Sequence, residues 1–256
     1  MSTWNPAQYN RFRSERQQPF FDLLALVRPR AAMRVVDLGC GTGELTRVLH
    51  QRLDAADTLG LDQSETMLAD SAAAVVPGLR FALGDVTAFD AADAYDLVFS
   101  NAALQWLPDH AALFTRLTAG LAAGGQLAVQ MPVNYDHPSH TVAAAVAAEP
   151  PFSAALHGFR IERPVEAAEW YAALLYRLGY AEQHARVQIY GHVLEARDDV
   201  IEWVKGTLLT AYEQRLPAEL WPRFLDRYRA ALLPQLDDAR PYFYPFKRLL
   251  IWGRRG

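Results

Sequence analysis

The chain has 256 residues, 51% of them hydrophobic, a single cysteine (Cys40) and a formal net charge of −4. That length buries a core without the help of metal or disulfides. One cysteine excludes an internal disulfide and suits a reducing cytoplasm, and the negative balance argues against general nucleic-acid binding. The first apolar run, residues 20–27, is short and carries Asp22. No run approaches the ~18 apolar residues of a membrane span, so a soluble, cytoplasmic protein, neither exported nor membrane-bound, is expected.

The charge is spread unevenly. Residues 1–30 carry five Arg against Glu15 and Asp22, a balance of +3. Residues 240–256 carry Arg240, Lys247, Arg248, Arg254 and Arg255 with no acid, a balance of +5, which leaves −12 for the middle. Converging over a site, the two ends would form a cationic pocket for an anionic substrate. Apart, they are solvated faces.

In chain order, short apolar runs alternate with helical patterns, the signature of βαβ units around a parallel sheet. Strands are expected at 34–38, 58–61, 79–83, 95–100 and 126–131. Helices are expected at 43–52, at 64–75 with Ser64 as N-cap, and after Asp109, which caps a helix carrying Leu113, Phe114 and Leu117. Beyond Pro132 the pattern changes. A polar stretch (134–138) leads into an Ala-rich helix at 139–149, halted by Pro150-Pro151. Further helices are expected at 166–178, 198–214 and 217–233, with strands at 182–194 and 248–252.

The informative run is Val35-Val36-Asp37-Leu38-Gly39-Cys40-Gly41-Thr42-Gly43. A strand enters a turn of alternating glycines, which permit positive φ and bring a ligand against the backbone. A dinucleotide fingerprint, G-x-G-x-x-G, needs its third glycine at position 44, where Glu44 stands, and no Gly-Lys-Ser/Thr follows for a P-loop. An acidic glycine loop instead suits S-adenosylmethionine, which lacks phosphate and carries a sulfonium and an ammonium. Asp37 can meet the ammonium. Asp62, at the end of the second strand, can accept from both ribose hydroxyls, with Gln63 beside it. Asp85 can accept from the adenine amine while Val86 donates its N–H. Met67 can pack on the adenine, and the Asn101 carbonyl can face the ammonium. Gly39, Cys40 and Gly41 line the loop itself.

These residues resemble the class I S-adenosylmethionine-dependent methyltransferases. Beyond the core, the chain resembles the trans-aconitate 2-methyltransferases. The likeness rests on Trp4-Asn5-Pro6 with Tyr9, Phe12 and Arg16, and on Ser100-Asn101-Ala102-Ala103-Leu104-Gln105-Trp106-Leu107-Pro108. Leu127–Pro132, Trp203-Val204-Lys205-Gly206-Thr207 and Phe246-Lys247-Arg248-Leu249 extend it. Thr42 departs from the family's frequent proline, Gln63 from its common serine, and residues 149–164 match weakly. The resemblance implies monomethyl esterification of trans-aconitate or a similar small polycarboxylate, with S-adenosylhomocysteine as product. A carboxylate with a pKa near ~4 is already ionised at neutral pH, so no acid or base is required. Positioning then falls to Arg16, Lys205, Lys247 and Arg248, with Trp4, Tyr9 and Trp106 closing the pocket. Each aromatic can equally be core, and each basic residue a surface side chain.

His137-Pro138-Ser139-His140 beside Asp136 has a loose metal-ligand look, but nothing completes a ligand set, and the histidines are expected to be solvated in a loop. No metal is expected. Cys40, without a His or Asp partner, reads as a small filler rather than a nucleophile.

The expected fold is a doubly wound α/β, Rossmann-like, seven-stranded and mostly parallel sheet with an antiparallel last strand and a helical cap. The core with an N-terminal helix takes 1–132, a cap segment 133–165, core again 166–195, helical cap 196–242 and a final strand 243–256. Three rivals stand beside this reading: a methyltransferase for another small acid or phenol, a nicotinamide-type oxidoreductase, and a non-catalytic methyltransferase-like binding protein.

Overall fold

A computed structural model describes the backbone of residues 13–256, with side chains from Gln17 onward. Strand β1 (Arg34–Leu38) is buried at every position but its first, as a central parallel strand covered on both faces must be. With β2 (Asp57–Asp62), β3 (Leu79–Leu83), β4 (Tyr95–Asn101), β5 (Leu121–Pro132), β6 (Tyr180–Leu194) and β7 (Tyr242–Arg255) it forms a seven-stranded sheet in the order β3-β2-β1-β4-β5-β7-β6. The pairs β1–β2, β1–β4, β2–β3 and β4–β5 are parallel, and β7 runs antiparallel to β5. Strand order therefore reverses between β1 and β4, the place where doubly wound sheets open a crevice at their carboxyl ends.

The helices are α1 (Arg13–Leu24), α2 (Glu44–Leu53), α3 (Glu65–Ser71), α4 (His110–Ala119), α5 (Pro138–Ala147), α6 (Phe152–Ala155), α7 (Ala168–Arg177), α8 (Asp199–Lys205), α9 (Thr210–Glu213) and α10 (Leu220–Leu232). Ser64 and Asp109 cap α3 and α4 as expected, accepting from the backbone N–H of Met67 (3.3 Å) and Ala112 (3.1 Å). Three expectations need correction. The helix expected over 64–75 stops at Ser71 and tightens into a 3₁₀ turn, Ala72–Ala74. The single helix expected over 198–214 is two, because α8 ends on Gly206 and only Thr210–Glu213 resumes. Glycine there ends the helix at little conformational cost. Strand β5 begins earlier than expected, since Gly124 and Gly125 lie within it rather than before it, at a register shift against β4. Gly124 has φ 65°, so the pair acts as a bulge.

The chain divides into two compact units. One comprises residues up to 132, 164–188 and 248–256, the other 133–163 and 189–247. In the first, α2 buries Thr46, Leu49, His50 and Leu53. His50 spans Thr58 Oγ1 (2.9 Å) and the Pro77 carbonyl (3.1 Å), tying α2 to the start of β2 and the approach to β3. Phe20 of α1 packs edge-on against Phe99 of β4, ring centroids 5.4 Å apart. Tyr171 of α7 lies 5.1 Å from the Phe114 ring and hydrogen-bonds His110, whose other nitrogen contacts the Leu104 carbonyl at 3.1 Å. In the second unit α5 packs along α10. Tyr228 donates to the Ser139 carbonyl (2.8 Å), and Phe224 meets Phe152 and Tyr212 with ring centroids 5.2 and 5.3 Å apart.

Among the described residues, several basic side chains near the two ends of the sequence are spent on structure. Arg28 and Arg254 both bind Glu182, at 2.6 Å each, and Arg28 also lies over the Trp252 ring at 4.9 Å. Arg30 and Arg34 share Asp96, and Arg255 reaches Asp93. Two of the basic segments thus do converge, but on an acidic side chain.

Gln126 is the buried polar joint of this unit. Its amide oxygen accepts from Arg28 N–H (2.8 Å) and Trp252 Nε1–H (3.0 Å), and its amide nitrogen donates to the Arg28 carbonyl (2.8 Å). Replacing it with leucine orphans the buried Trp252 Nε1–H and the part-buried Arg28 N–H and carbonyl, at roughly 1–3 kcal/mol for a fully buried group and less for a part-buried one. Urea unfolding of Gln126→Leu is therefore expected to show a loss of about 2–4 kcal/mol with the slope unchanged.

Candidate functional site

The loop after β1 is held by the neighbouring strand: Gly39 N–H and Cys40 N–H both donate to the Leu61 carbonyl, at 2.8 and 3.0 Å. Packing explains two of its glycines. A Cβ on Gly39 (φ 78°) would stand 2.2 Å from Ala103 Cβ, and one on Gly43 (φ 75°) 2.5 Å from the Phe81 ring. Gly41 is different. Its nearest neighbour would be the end of the flexible Met67 side chain at 3.3 Å, so the loop's crest is open and Met67, 43% exposed, hangs over it.

Asp62 organises that crest. One carboxylate oxygen accepts from Gly41 N–H (2.8 Å), the other from Ser64 N–H (2.9 Å). A carboxylate has about four acceptor positions, so each oxygen keeps one for a ligand. Gly84 N–H donates to the Asp62 carbonyl (3.0 Å), which brings the end of β3 alongside. There the exposed Asp85 accepts from Thr87 N–H (2.8 Å) and Thr87 Oγ1–H (2.7 Å), bonds that hold its carboxyl below the ordinary range. Val86 is buried behind it, and Gln63 is exposed at the turn into α3.

Asp37 is buried, its carboxylate accepting from Thr46 Oγ1–H of α2 at 2.6 Å. Burial pushes its pKa up to about 7, partly opposed by the Thr46 bond, with the nearby Asp62 charge adding to the rise. Such a group favours a cationic neighbour. The Cys40 thiol is pushed up to about 12 by burial and by Asp37 and Asp62. A thiol held protonated in this way is a weak nucleophile at neutral pH.

At the end of β4, Asn101 accepts through its side chain from Gln130 Nε2–H (3.4 Å). The chain then turns through Ala102 at φ 56°, and Ala103 touches Gly39. Gln105, to which the sequence reading assigned no role, donates to the Ala102 carbonyl (2.7 Å). Its own amide oxygen is buried without a hydrogen-bond partner among the described residues. The motif around it was visible in sequence, but its burial was not.

The first unit therefore gathers Asp37, Gly39, Cys40, Gly41, Asp62, Gln63, Met67, Asp85, Val86 and Asn101 at the carboxyl ends of β1 to β4. The set is rich in acceptors and fits a phosphate-free, donor-rich cationic ligand.

Residues 35–125 match the model of a methyltransferase domain. The trans-aconitate 2-methyltransferase of Deinococcus radiodurans is 45% identical, the match covering 99% of this chain and 98% of that protein. That of Methylobacterium nodulans is 44% identical over 100% and 99%. The chain belongs to the trans-aconitate 2-methyltransferase family, among the S-adenosylmethionine-dependent methyltransferases. A crystal structure of an S-adenosylmethionine dependent methyltransferase from Mesorhizobium loti shares the fold, with a TM-score of 0.52 at 24% identity over 94% of this chain and 98% of that one.

The residues that the family resemblance offered for substrate positioning are more scattered. Trp4, Tyr9 and the Arg16 side chain lie outside the described residues. Trp106, in a short 3₁₀ turn (Leu104–Trp106), is 69% exposed and is not core. Lys205 pairs with Glu202 one turn before it (2.8 Å), and Lys247 pairs with Asp136. Arg248 donates to Gln130 Oε1 at 3.3 Å. The expectation of solvated loop histidines is overturned. His137 is the N-cap of α5 and His140 lies in its first turn, both half-buried and hydrogen-bonded to Ser139. Among the described residues no cluster of three or more His, Cys, Asp or Glu is arranged to hold a metal ion.

Asp37 gives a pH signature in this family member. Its native pKa is raised to about 7 from the usual carboxylate range, so between about pH 4 and pH 7 the native state holds a proton that the unfolded state has lost. That contribution to stability is complete below about pH 4 and is lost as pH rises through about 7. Asp37→Asn cannot titrate. Relative to wild type, the ligand-free variant is expected to gain stability steadily across that window; parallel unfolding profiles at each pH would contradict it.

Proposed function

We propose that the protein transfers the methyl group of S-adenosylmethionine to a carboxylate of trans-aconitate or a closely similar small polycarboxylate, in the cytoplasm. The products are a monomethyl ester and S-adenosylhomocysteine. One observation carries the cofactor assignment: three carboxylates, Asp37, Asp62 and Asp85, stand at the ends of three parallel strands around an open glycine crest. The substrate rests on full-length likeness to proteins that bear this activity in their names.

When bound, the cofactor supplies an electrophilic methyl on a sulfonium. Asp62 offers its remaining acceptor positions to a vicinal diol, having been oriented by Gly41 and Ser64. Asp85 offers an acceptor to an exocyclic amine. Asp37 faces an ammonium and ionises fully beside it, which releases a proton when binding occurs below pH 7. Met67 covers the crest. The acceptor carboxylate forms its O–CH₃ bond with its own lone pair as the S–CH₃ bond breaks, and no proton moves. No acid, base or metal is asked for. The rate then depends on alignment, which can contribute roughly 7–11 kcal/mol. Arg16, Lys205, Lys247 and Arg248 orient the substrate, with Trp4, Tyr9 and Trp106 excluding water. Segments 133–165 and 196–242 supply the residues that choose the substrate, and residues 1–132, 166–195 and 243–256 the cofactor frame.

Purified protein with radiolabelled S-adenosylmethionine is expected to give a trans-aconitate monomethyl ester. Inert trans-aconitate beside a rapidly methylated phenol or other acid would overturn the substrate. Asp62→Ala loses two charge-assisted bonds to the ligand, roughly 3 kcal/mol, so S-adenosylhomocysteine affinity is expected to fall about a hundredfold by calorimetry. In thermal shift, S-adenosylhomocysteine should raise the wild-type midpoint and NAD should leave it in place; the reverse would return the site to an oxidoreductase.

A further inference from the structure

Among the described residues sulfur is unevenly exposed. Met33 and Met131 are 1% and 0% exposed, whereas Met67 is 43% exposed. Met33 Sδ also accepts from Arg30 N–H at 3.3 Å, and Met131 sits inside β5, opposite Leu249 of β7. Cys40 is buried with its Sγ–H turned to the Gly41 carbonyl at 3.9 Å. Its thiol, pushed up to about 12, yields almost no reactive thiolate at neutral pH. Met67 is therefore the described sulfur that is open to solvent.

The residues that shape the glycine crest also place Met67. Ser64 N–H donates to one Asp62 carboxylate oxygen (2.9 Å), and the Ser64 hydroxyl accepts from Met67 N–H (3.3 Å). Met67 is thereby held in the first turn of α3, beside the loop whose Gly41 N–H donates to the other Asp62 oxygen (2.8 Å). Its terminal methyl lies 3.3 Å from the place that a Gly41 Cβ would occupy. All of these residues belong to the same compact unit.

A thioether is soft and polarizable and packs well on an aromatic face. Its sulfoxide is polar and chiral, an acceptor with no proton to give. At this crest the change is unfavourable in two ways. The rim already presents the carboxylates of Asp62 and Asp85, so a further acceptor adds repulsion and no new partner. A purine laid over Met67 would also bury the sulfoxide oxygen unpaired, which costs free energy.

We propose that Met67 is a reversible oxidation site through which hydroperoxides weaken cofactor binding. This rests on the S-adenosylmethionine reading of the crest given above and adds a means of regulating it. The sulfur lone pair attacks one oxygen of hydrogen peroxide. The S–O bond forms as the O–O bond breaks, the sulfur gives up two electrons, and the other oxygen leaves as water with both protons. A thiol-dependent methionine sulfoxide reductase reverses the change. Bound cofactor covers the sulfur, so occupied protein is protected and empty protein is marked.

Wild-type protein treated with hydrogen peroxide and followed by peptide mass spectrometry is expected to gain oxygen at Met67 well before Met33 or Met131. S-adenosylhomocysteine should slow that gain. By calorimetry, affinity for S-adenosylhomocysteine should fall roughly tenfold or more on conversion. It should return after treatment with methionine sulfoxide reductases of both epimer specificities. Met67→Leu keeps an apolar cover without sulfur, and peroxide should leave its affinity where it started. Met67→Gln, a polar side chain of similar length, should bind more weakly than Met67→Leu with no oxidant present. Equal oxidation of the three methionines, unchanged affinity after full conversion at Met67, or an equal loss in peroxide-treated Met67→Leu overturns the switch alone. Unoxidised wild type that takes up no S-adenosylhomocysteine overturns the cofactor assignment, and the switch falls with it.

Discussion

The geometry of the glycine crest and its acidic rim depends on the carboxylate of Asp62. By accepting from Gly41 and Ser64 with separate oxygens it joins the glycine crest to the first turn of α3, and its carbonyl receives Gly84 from the end of β3. Three segments far apart in sequence are thus referred to one side chain. A hydroxyl-rich ligand meets acceptors already aimed, so little side-chain ordering is left to be done on binding. The parallel register makes this possible, since Asp62 pairs with Leu83 and Asp37 with Gly60 and Phe99.

Asp37 shows the cost of that arrangement. A carboxylate buried at the end of β1 is stabilised by one hydroxyl and disfavoured by its surroundings, and so rests near the midpoint of its titration at neutral pH. A positive charge placed beside it would favour the ionised form that burial disfavours. Ala102, a non-glycine residue at φ 56°, is a second strained point, held by its N–H bond to the Gln130 carbonyl and by Gln105 on its own carbonyl.

The sheet and the placement of acids at its strand ends were legible in the sequence because they follow from local rules. Apolar runs of five or six residues mark buried strands, alternating glycines mark the turn, and acids at strand ends mark acceptors. What stayed hidden depends on three-dimensional burial. The helix over 198–214 read as continuous since its apolar spacing ran on past Gly206. Gln105 looked like an ordinary polar residue until its amide oxygen proved buried. The helix expected from 139 came within one residue of the start of α5, but nothing local reveals that His137 caps it or that both histidine rings are half-buried. The basic ends suggested an anion pocket, whereas Glu182, lying 154 and 72 residues from Arg28 and Arg254, absorbs part of that charge.

Esterifying a carboxylate places unusual demands on a protein. The nucleophile is already ionised, so nothing is gained by a base, and every cation near it lowers its reactivity even as it improves binding. Lys205 and Lys247 are each partly neutralised by an acid, Glu202 and Asp136, which softens the field they project. Neutral N–H donors face no such conflict: they contribute directional bonds at short range and little field beyond it. A site that must bind several carboxylates while leaving one nucleophilic is therefore best built from mixed recognition, with paired cations for attraction and uncharged donors for placement.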